Sequence, residues 1–279
     1  MAEYNVTTFE EFLTAISDDD TTKVVNCPQN AEWDASELEP EGHTGSILLY
    51  GTINGNGTKI KNLVIGSASS DGVFLVKGTV TDLHFTDGVW DAGQNGNVVR
   101  MLTNGDLVQL CTFSASVQGG DNIKLFNFTL GGNSNTAYIY RCAANVEFAT
   151  AETVWVQGYN IEGKYNNFKI SGSRVNSIDL CGNSPMNPNG KMEYSYILCD
   201  TPAVTNFGGE TFAWSFARCT GANVTDLRYV CSQDTSKITL LCDSDFQNAS
   251  QVSQGLRLCT ESQLHDAAYL QSIGFPIGV

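Results

Sequence analysis

The residues of this chain best suited to chemistry are carboxylates, since it contains 30 Asp and Glu but only three His. Two carboxylates cleave a glycosidic bond when one acts as acid and the other as base or nucleophile. Asp243 and Asp245 come closest to this requirement, because a two-residue spacing places both on one face of a strand. A polar turn after Leu241 and Cys242 explains the same two residues without any chemistry. They are the catalytic candidates if the protein is an enzyme.

Another group of residues suits sugar binding without catalysis. Trp90 lies between Asp87 and Asp91, so its ring could stack on a sugar while the carboxylates accept hydrogen bonds from hydroxyl groups. Packing of Trp90 against the core is the alternative interpretation. For Trp155 and Trp214, in their aromatic surroundings, the sequence favours a core position.

No cofactor or metal site is predicted. The nine cysteines show no Cys-x-x-Cys spacing, and most lie in apolar stretches, so we interpret them as reduced, buried thiols. The chain has no Gly-x-x-x-x-Gly-Lys-Ser/Thr phosphate loop and no Gly-x-Ser-x-Gly nucleophile motif.

Charge and hydropathy exclude further classes. The net charge is −15 and the 15 Lys and Arg are scattered singly, so nucleic-acid binding is not predicted. The first eleven residues are polar and acidic, unlike a signal peptide. Apolar runs of about four residues are far too short to cross a membrane, so membrane insertion is not predicted either.

A repeated six-residue pattern indicates the elements that must position these side chains. It consists of a β-branched residue, a polar residue, Asn or Asp, Leu, any residue and an apolar residue, and it occurs at 60–65, 80–85 and 224–229. Strand markers along the chain are about 22 residues apart, within the range of solenoid repeats. Asn-Gly, Asp-Gly and Gly-Gly pairs between the apolar runs suit left-handed corners. We therefore predict an all-β, single-stranded parallel β-helix (solenoid) of about nine coils.

Two other folds share some of these sequence features. A leucine-rich repeat expects Asn three residues after the pattern, where this chain has Ala68, Gly88 and Ser232. An antiparallel β-sandwich uses the same turn dipeptides, but it does not require the repeat. The repeat therefore favours the β-helix.

Both ends of the chain carry helix signals. Overlapping capping boxes at Thr7 and Thr8, and another at Thr260, predict short amphipathic helices over residues 8–17 and 261–272. The chain is accordingly divided into a capping helix with an acidic loop (1–46), a parallel β-helix (47–259) and a second capping helix with a tail (260–279). Amphipathic ends would cover the open strand edges of the solenoid.

The N-terminal helix, followed by coils such as Val-Thr-Asp-Leu-x-Phe at 80–85, resembles the right-handed parallel β-helix superfamily of pectate lyases, polygalacturonases and phage tailspikes. The resemblance covers residues 8–259. Among these relatives, a short, acidic chain rich in Gly and Asn is most similar to bacteriophage virion proteins. Such proteins decorate heads or form tail fibres, commonly as trimers.

This resemblance implies a non-enzymatic structural virion protein, a capsid decoration or fibre subunit, that assembles in the host cytoplasm. It would form a homotrimer, contact other virion proteins and touch host surface glycans. The alternatives are a tailspike-type polysaccharide depolymerase (a glycoside hydrolase or lyase) and a glycan-binding adhesin. The hydrolase motifs mostly fail, because no His precedes Gly, no Arg-x-Lys occurs and only Asn104-Gly105-Asp106 matches Asn-x-Asp.

Overall fold

Strands dominate this chain because apolar and polar residues alternate along most of it, so that every second side chain points to one face. A computed structural model describes residues 2–37, 41–67, 72–94, 96–128, 135–158, 160–175, 177–179, 191–193, 195–200, 207–208, 212–213, 215–220, 240–243, 256–259, 261–264 and 266–272. Each described strand pairs in parallel with strands one coil before or after it, which makes the fold an all-β parallel β-solenoid.

In chain order the first strands are β1 (Glu3–Asn5), β2 (Val24–Asn26), β3 (Glu32–Asp34), β4 (His43–Thr44), β5 (Ile47–Lys61), β6 (Val64–Ser67), β7 (Phe74–Asp91), β8 (Asn97–Met101), β9 (Leu107–Gln109), β10 (Thr112–Gln118), β11 (Asn122–Phe128) and β12 (Ala137–Tyr140). The later strands are β13 (Ala143–Phe148), β14 (Thr153–Gln157), β15 (Ile161–Lys164), β16 (Asn167–Ser171), β17 (Ser177–Asp179), β18 (Lys191–Glu193), β19 (Tyr196–Asp200), β20 (Phe207–Gly208), β21 (Phe212–Ala213), β22 (Ser215–Thr220), β23 (Leu240–Asp243) and β24 (Leu256–Cys259). The helices are α1 (Phe9–Ala15), α2 (Glu261–Leu264) and α3 (Ala267–Ser272), and Ala35–Glu37 form a 3-10 turn.

The strands stack into three parallel ladders, which we name faces A, B and C. Face A contains β2, β9, β12 and β15. Face B contains β10, β13 and β16, and face C contains β8, β11 and β14. Strands β5 and β7 are long enough to pass through all three faces. Because β1 and β2 already extend face A, the stack begins before residue 47.

Coils are longer than the sequence predicts. On face A, Val80 pairs with Val108 and Val108 with Ile139, so successive coils are 28 and 31 residues apart. Residues 47–178 make about five turns. The predicted count of nine coils, which assumed 22 residues per coil, is not confirmed.

The six-residue pattern explains this difference, because it marks corners and not whole coils. Asn62 and Asp82 both have left-handed backbones, with φ of 56° and 55°, and each precedes a buried Leu. The two corners are not equivalent, because Leu83 pairs with Thr58 one coil earlier and not with Leu63. The 20-residue interval between the copies therefore spans less than one coil.

The corner between faces A and B keeps the same backbone conformation on six coils. The residues that occupy it, with φ between 51° and 57°, are Asn30, Asn56, Asp82, Leu110, Arg141 and Tyr165. Asn and Asp accept this conformation readily, as predicted from the turn chemistry, whereas Leu, Arg and Tyr do so at a cost in strain. Hydrogen bonds between neighbouring coils hold the later corners in place, so stacking overrides local preference there.

Aromatic side chains pack from coil to coil through the centre of the solenoid. Phe113 lies 5.5 Å from Phe74, 5.9 Å from Phe85 and 5.8 Å from Phe126 between ring centroids, and Phe126 lies 5.5 Å from Phe168. All five rings are buried and belong to one continuous hydrophobic cluster. The core therefore ties successive coils together.

The two ends of the chain differ from each other. At the N-terminus α1 buries Phe9 and Phe12, whose rings lie 6.3 and 5.9 Å from that of Trp33, and the side chain of Thr8 caps the helix by accepting from the N–H of Glu11. At the C-terminus the single predicted helix is instead two short ones, α2 and α3. Ala267 and Ala268 of α3 are exposed.

Three cysteines in the described part of the chain, Cys27, Cys111 and Cys142, are free and buried. Burial raises the pKa of Cys27 to about 12 and raises the pKa of Cys142 well above its ordinary value. Both groups are therefore neutral thiols at pH 8, in agreement with the interpretation of the cysteines as small apolar side chains.

Alkylation should distinguish these thiols from exposed ones. At pH 8 the thiolate fraction of Cys27 is roughly a thousandfold below that of an ordinary cysteine, so iodoacetamide should leave Cys27 and Cys142 unmodified in the folded protein. Denaturant should expose both to rapid modification, as peptide mass spectrometry would report. Equal labelling before and after unfolding would contradict the burial of these side chains.

Candidate functional site

A shallow groove of about 370 Å³ crosses face B and carries polar side chains from four coils. Strands β10, β13 and β16 form its floor. The residues that line it are Asp87, Gly88, Ser114, Ala115, Ser116, Asn145, Glu147 and Ser171. We name it the face-B groove.

The outward side chains of the groove are brought together by parallel register. Ser114 pairs with Asn145 on the next coil, while Ser116 pairs with Glu147 and Glu147 with Ser171. Their neighbours Phe113, Ala115 and Val117 point inward and are buried, so strict alternation sends the polar residues to the surface. These residues lie between 24 and 31 positions apart along the chain.

A bulge and small side chains create the depression. Between the pairs Phe85–Phe113 and Gly88–Ala115, strand β7 has one residue more than β10, which is a β-bulge. Asp87 lies in this bulge, has a left-handed backbone with φ of 56° and is exposed. The next position, Gly88, has room only for glycine, because a Cβ there would lie 2.3 Å from Nε1 of Trp90. Ser114 and Ser116, on the strand between those of Asp87 and Glu147, contribute small side chains to the floor of the groove.

The groove offers hydrogen-bonding groups of both kinds. Serine hydroxyls donate and accept, the amide of Asn145 does both, and the carboxylates of Asp87 and Glu147 accept. This combination matches the hydroxyl groups of an uncharged sugar. Asp87 and Glu147 stand two coils apart, which corresponds to roughly 10 Å along the solenoid axis, and Asp87 is also displaced along the strand because it precedes Val89, the residue on the rung of Glu147.

Of the three residues predicted to bind sugar, only Asp87 lies in the groove. The ring of Trp90 is fully buried, packs edge-on against Phe74 at 5.0 Å and donates from Nε1 to the carbonyl of Leu63 at 3.1 Å. The predicted stacking role of Trp90 is therefore wrong, because inward alternation took the ring into the core. Asp91 is half-buried and its Oδ1 accepts from the N–H of Gly93, which makes it a turn residue.

Of the two predicted catalytic residues, Asp243 and Asp245, the structure describes only the first. Asp243 is the last residue of β23, and Asp245 lies outside the described residues, so their pairing stays a prediction. Asp106, the one match to a hydrolase motif, is 1% exposed. Its carboxylate accepts the N–H groups of Gly78, Leu102 and Thr103, so it fixes a corner of the solenoid and does not face solvent.

Sequence reasoning missed Ser114, Ser116, Asn145, Glu147 and Ser171 as site residues. No motif joins them, because they lie on three different coils and meet only through the register of the ladder. Alternation identifies which of them point outward. Only the number of residues in each coil determines which outward residues become neighbours.

Among the described residues, no group of three or more His, Cys, Asp or Glu side chains could hold a metal ion. The described helices, none longer than seven residues, fall well short of the length and apolar character of a membrane span. Comparisons of the chain with protein-family models, with curated proteins and with solved structures give no match.

Proposed function

We propose that this chain is a non-enzymatic structural subunit of a bacteriophage particle, a capsid decoration or tail fibre, that contacts surface glycans through the face-B groove. The resemblance described above motivates the virion assignment and the trimeric assembly. A rigid rod is the mechanical property that such a subunit needs. The groove adds a surface for sugar recognition.

One observation carries this proposal: the unbroken core, in which aromatic rings contact each other from coil to coil. Phe74, Phe113, Phe126 and Phe168 form a continuous chain of ring contacts between 5.5 and 5.8 Å. Bending the stack would open these contacts, so the coils resist bending as a unit. Side chains on the outside can then contact a ligand without reorganisation of the rod.

The first experiment is light scattering on the full-length protein, followed on the same sample by glycan binding and a reducing-sugar assay over a panel of bacterial and plant polysaccharides. The proposal expects a stable trimer that retains a neutral glycan and releases no sugar. A monomer that retains no glycan would contradict both the assembly and the binding surface.

A groove variant and a matched control locate the binding surface. Ser116→Tyr should fill the groove and reduce glycan retention at least tenfold, since a bulky ring replaces a hydroxyl on its floor. Thr79→Tyr introduces the same ring on face A, where Thr79 lies next to inward-facing Val80, and should leave retention unchanged. Equal loss in both variants would place glycan contact elsewhere.

A polysaccharide depolymerase is the second candidate, favoured by the two carboxylates on the same groove. Under this alternative, Glu147 and Asp87 would act as acid and base across a glycosidic bond. Glu147→Gln and Asp87→Asn would then each abolish sugar release while the fold is preserved. Sugar release by the unmodified protein, lost in both variants, would overturn the non-enzymatic proposal.

A further inference from the structure

The first strand of the solenoid has an open edge. Strand β1 pairs with β2, and no other described strand pairs with it. The carbonyl of Ala2 and the N–H of Val6 both bond to β2, and backbone groups alternate in direction along a parallel strand. The N–H and C=O groups of Glu3 and Asn5 therefore point to the open side. An exposed edge of this kind is a template for pairing with another chain.

A groove of about 510 Å³ lies along this edge, between β1 and helix α1. Helix α1 buries Phe9 and Phe12 against the core, so it covers the interior of the first coil but leaves the groove beside β1 open. The residues that give the groove its character are the apolar Tyr4, Val6 and Ala15 and the acidic Glu3, Glu10 and Glu11. We name it the β1 edge groove.

Tyr4 ends a column of inward-facing side chains on face A. It pairs with Val25, and Val25 pairs with Ile53 on the next coil. Val25 and Ile53 are fully buried, whereas Tyr4 is 38% exposed because no described strand lies beyond it. One more strand with an apolar residue over Tyr4 would bury this ring, as each coil buries the one before it.

A ladder of asparagine side chains also ends at β1. Asn54 Nδ2 donates to Asn26 Oδ1 at 2.8 Å, and Asn26 Nδ2 donates to Asn5 Oδ1 at 3.1 Å. No described residue accepts from the Nδ2 group of Asn5. The ladder therefore presents a donor where the next strand would lie, and a side chain with an acceptor oxygen would continue it.

The charge of the groove indicates its occupant. Glu3, Glu10 and Glu11 line it without any described Lys or Arg, and none of the three forms an ion pair with a described cation. Hydrogen bonds from Thr7 lower the pKa of Glu11, which is therefore charged at neutral pH. A second copy of this chain, with its net charge of −15, would be repelled, whereas an extended segment rich in Lys or Arg would be attracted.

We propose that the β1 edge groove binds an extended cationic segment of another protein, which adds to the solenoid as one further parallel strand. Its successive residues would lie over Glu3, Tyr4 and Asn5. The expected pattern is accordingly Lys or Arg, an apolar residue, and then Asn, Ser or another side chain with an acceptor oxygen. Main-chain bonds to Glu3 and Asn5 would provide affinity, and the three side chains would provide specificity. This inference does not rest on the function proposed above, so the glycan experiments on the face-B groove succeed or fail independently of it.

A synthetic peptide with this pattern, Val-Lys-Val-Asn-Val-Lys with blocked ends and a fluorescent label, tests the proposal by anisotropy on the full-length protein. We expect it to bind at low salt. A peptide of the same composition in the order Val-Val-Lys-Lys-Asn-Val should bind roughly tenfold more weakly, because its polar and apolar residues do not alternate. No binding of the first peptide at about 1 mM would overturn the proposal. Equal binding of the two would show unspecific charge attraction and would also overturn it.

N-methylated peptides distinguish strand addition from other modes of binding. In the expected register the valines lie over the even-numbered residues of β1, so their N–H groups point to the carbonyls of Glu3 and Asn5. The N–H groups of lysine and asparagine point away from β1. N-methylation of the second and third valines should therefore weaken binding at least tenfold, roughly the loss of two hydrogen bonds. N-methylation of the first lysine and the asparagine should have little effect, and equal losses from the two changes would exclude strand addition.

Asn5→Pro is the matching change in the protein. It removes an N–H that points to the open side and no bond to β2, so the melting temperature should change little while peptide binding is lost. Asn5→Ser keeps the N–H and should reduce binding less. Undiminished binding by Asn5→Pro would place the peptide elsewhere and contradict the proposal. Assembly of the unmodified protein that Asn5→Pro abolishes would place a second copy on this edge, and the cationic partner would then be wrong.

Charge at the groove is tested by Glu10→Lys, since Glu10 is exposed and its carboxylate has no described partner. This change should weaken binding of the lysine peptide roughly fivefold. It should also strengthen binding of a peptide that carries Glu in place of both lysines. Asp121→Lys makes the same charge change at an exposed position next to β11, several coils away, and should leave the affinity unchanged. Equal losses in the two variants would show that binding depends on net charge and not on this groove.

Discussion

Replacing Asp106 by alanine is expected to lower the free energy of unfolding by about 3 kcal/mol. Its Oδ2 accepts the N–H groups of Leu102 at 2.8 Å and Thr103 at 2.6 Å, and its Oδ1 accepts the N–H of Gly78 at 2.8 Å. Gly78 belongs to the preceding coil, so one carboxylate joins two coils at the corner between faces C and A. Alanine would leave three backbone donors without this partner.

The comparison with Asp106→Asn makes this prediction specific. An amide keeps the size of the side chain but has one acceptor oxygen, and its NH₂ group would face backbone donors. We therefore expect the asparagine variant to lose most of the same stability in urea and thermal denaturation. Asp87→Asn is the control, since Asp87 is exposed and asparagine also accepts its left-handed backbone, so it should change stability by less than about 0.5 kcal/mol. An Asp106→Ala protein as stable as this control would show that the corner does not depend on the carboxylate.

Replacing Phe113 by alanine is expected to destabilise the protein by about 3–5 kcal/mol, the larger of the two effects. Its ring contacts Phe74, Phe85 and Phe126, which come from other coils, and it is 1% exposed. Truncation would leave a cavity that these rings can fill only in part, because each is held by its own coil.

Size and position provide the controls for Phe113. Phe113→Leu fills most of the cavity and should cost clearly less than Phe113→Ala, as urea midpoints would report. Ser114→Ala, one residue along, changes an outward side chain and should have little effect on stability. Equal stability of the alanine and leucine variants would contradict tight packing between coils.

Local sequence patterns are sufficient to predict the parallel β-solenoid and several of its local features. Alternation identifies the strands, and Asn56 and Asp82 lie at corners where their side chains favour a left-handed backbone. The free, buried state of Cys111 also follows from the apolar stretch in which it lies. These features depend on residues close together in the chain, so local preference is sufficient to predict them.

Whether a given side chain points into the core or toward the surface was harder to predict. Trp90 points into the core, where it cannot fill its candidate role as a stacking platform, and Trp155 points out, against the core position that the sequence favours. Each strand has a period of two, so a shift of one residue exchanges its inner and outer faces. The bulge at Asp87 is one such shift, and no local pattern marks it.

Which coils stack, and which outward residues become neighbours, depends on the tertiary structure. The coil from Val108 to Ile139 has 31 residues and the next, from Ile139 to Gly163, has 24, so no constant period predicts that Ser116 lies beside Glu147 or Lys124 beside Trp155. Register in a parallel ladder is set by hydrogen bonds between strands distant in sequence and by the packing of the core between them. The face-B groove exists only through that register.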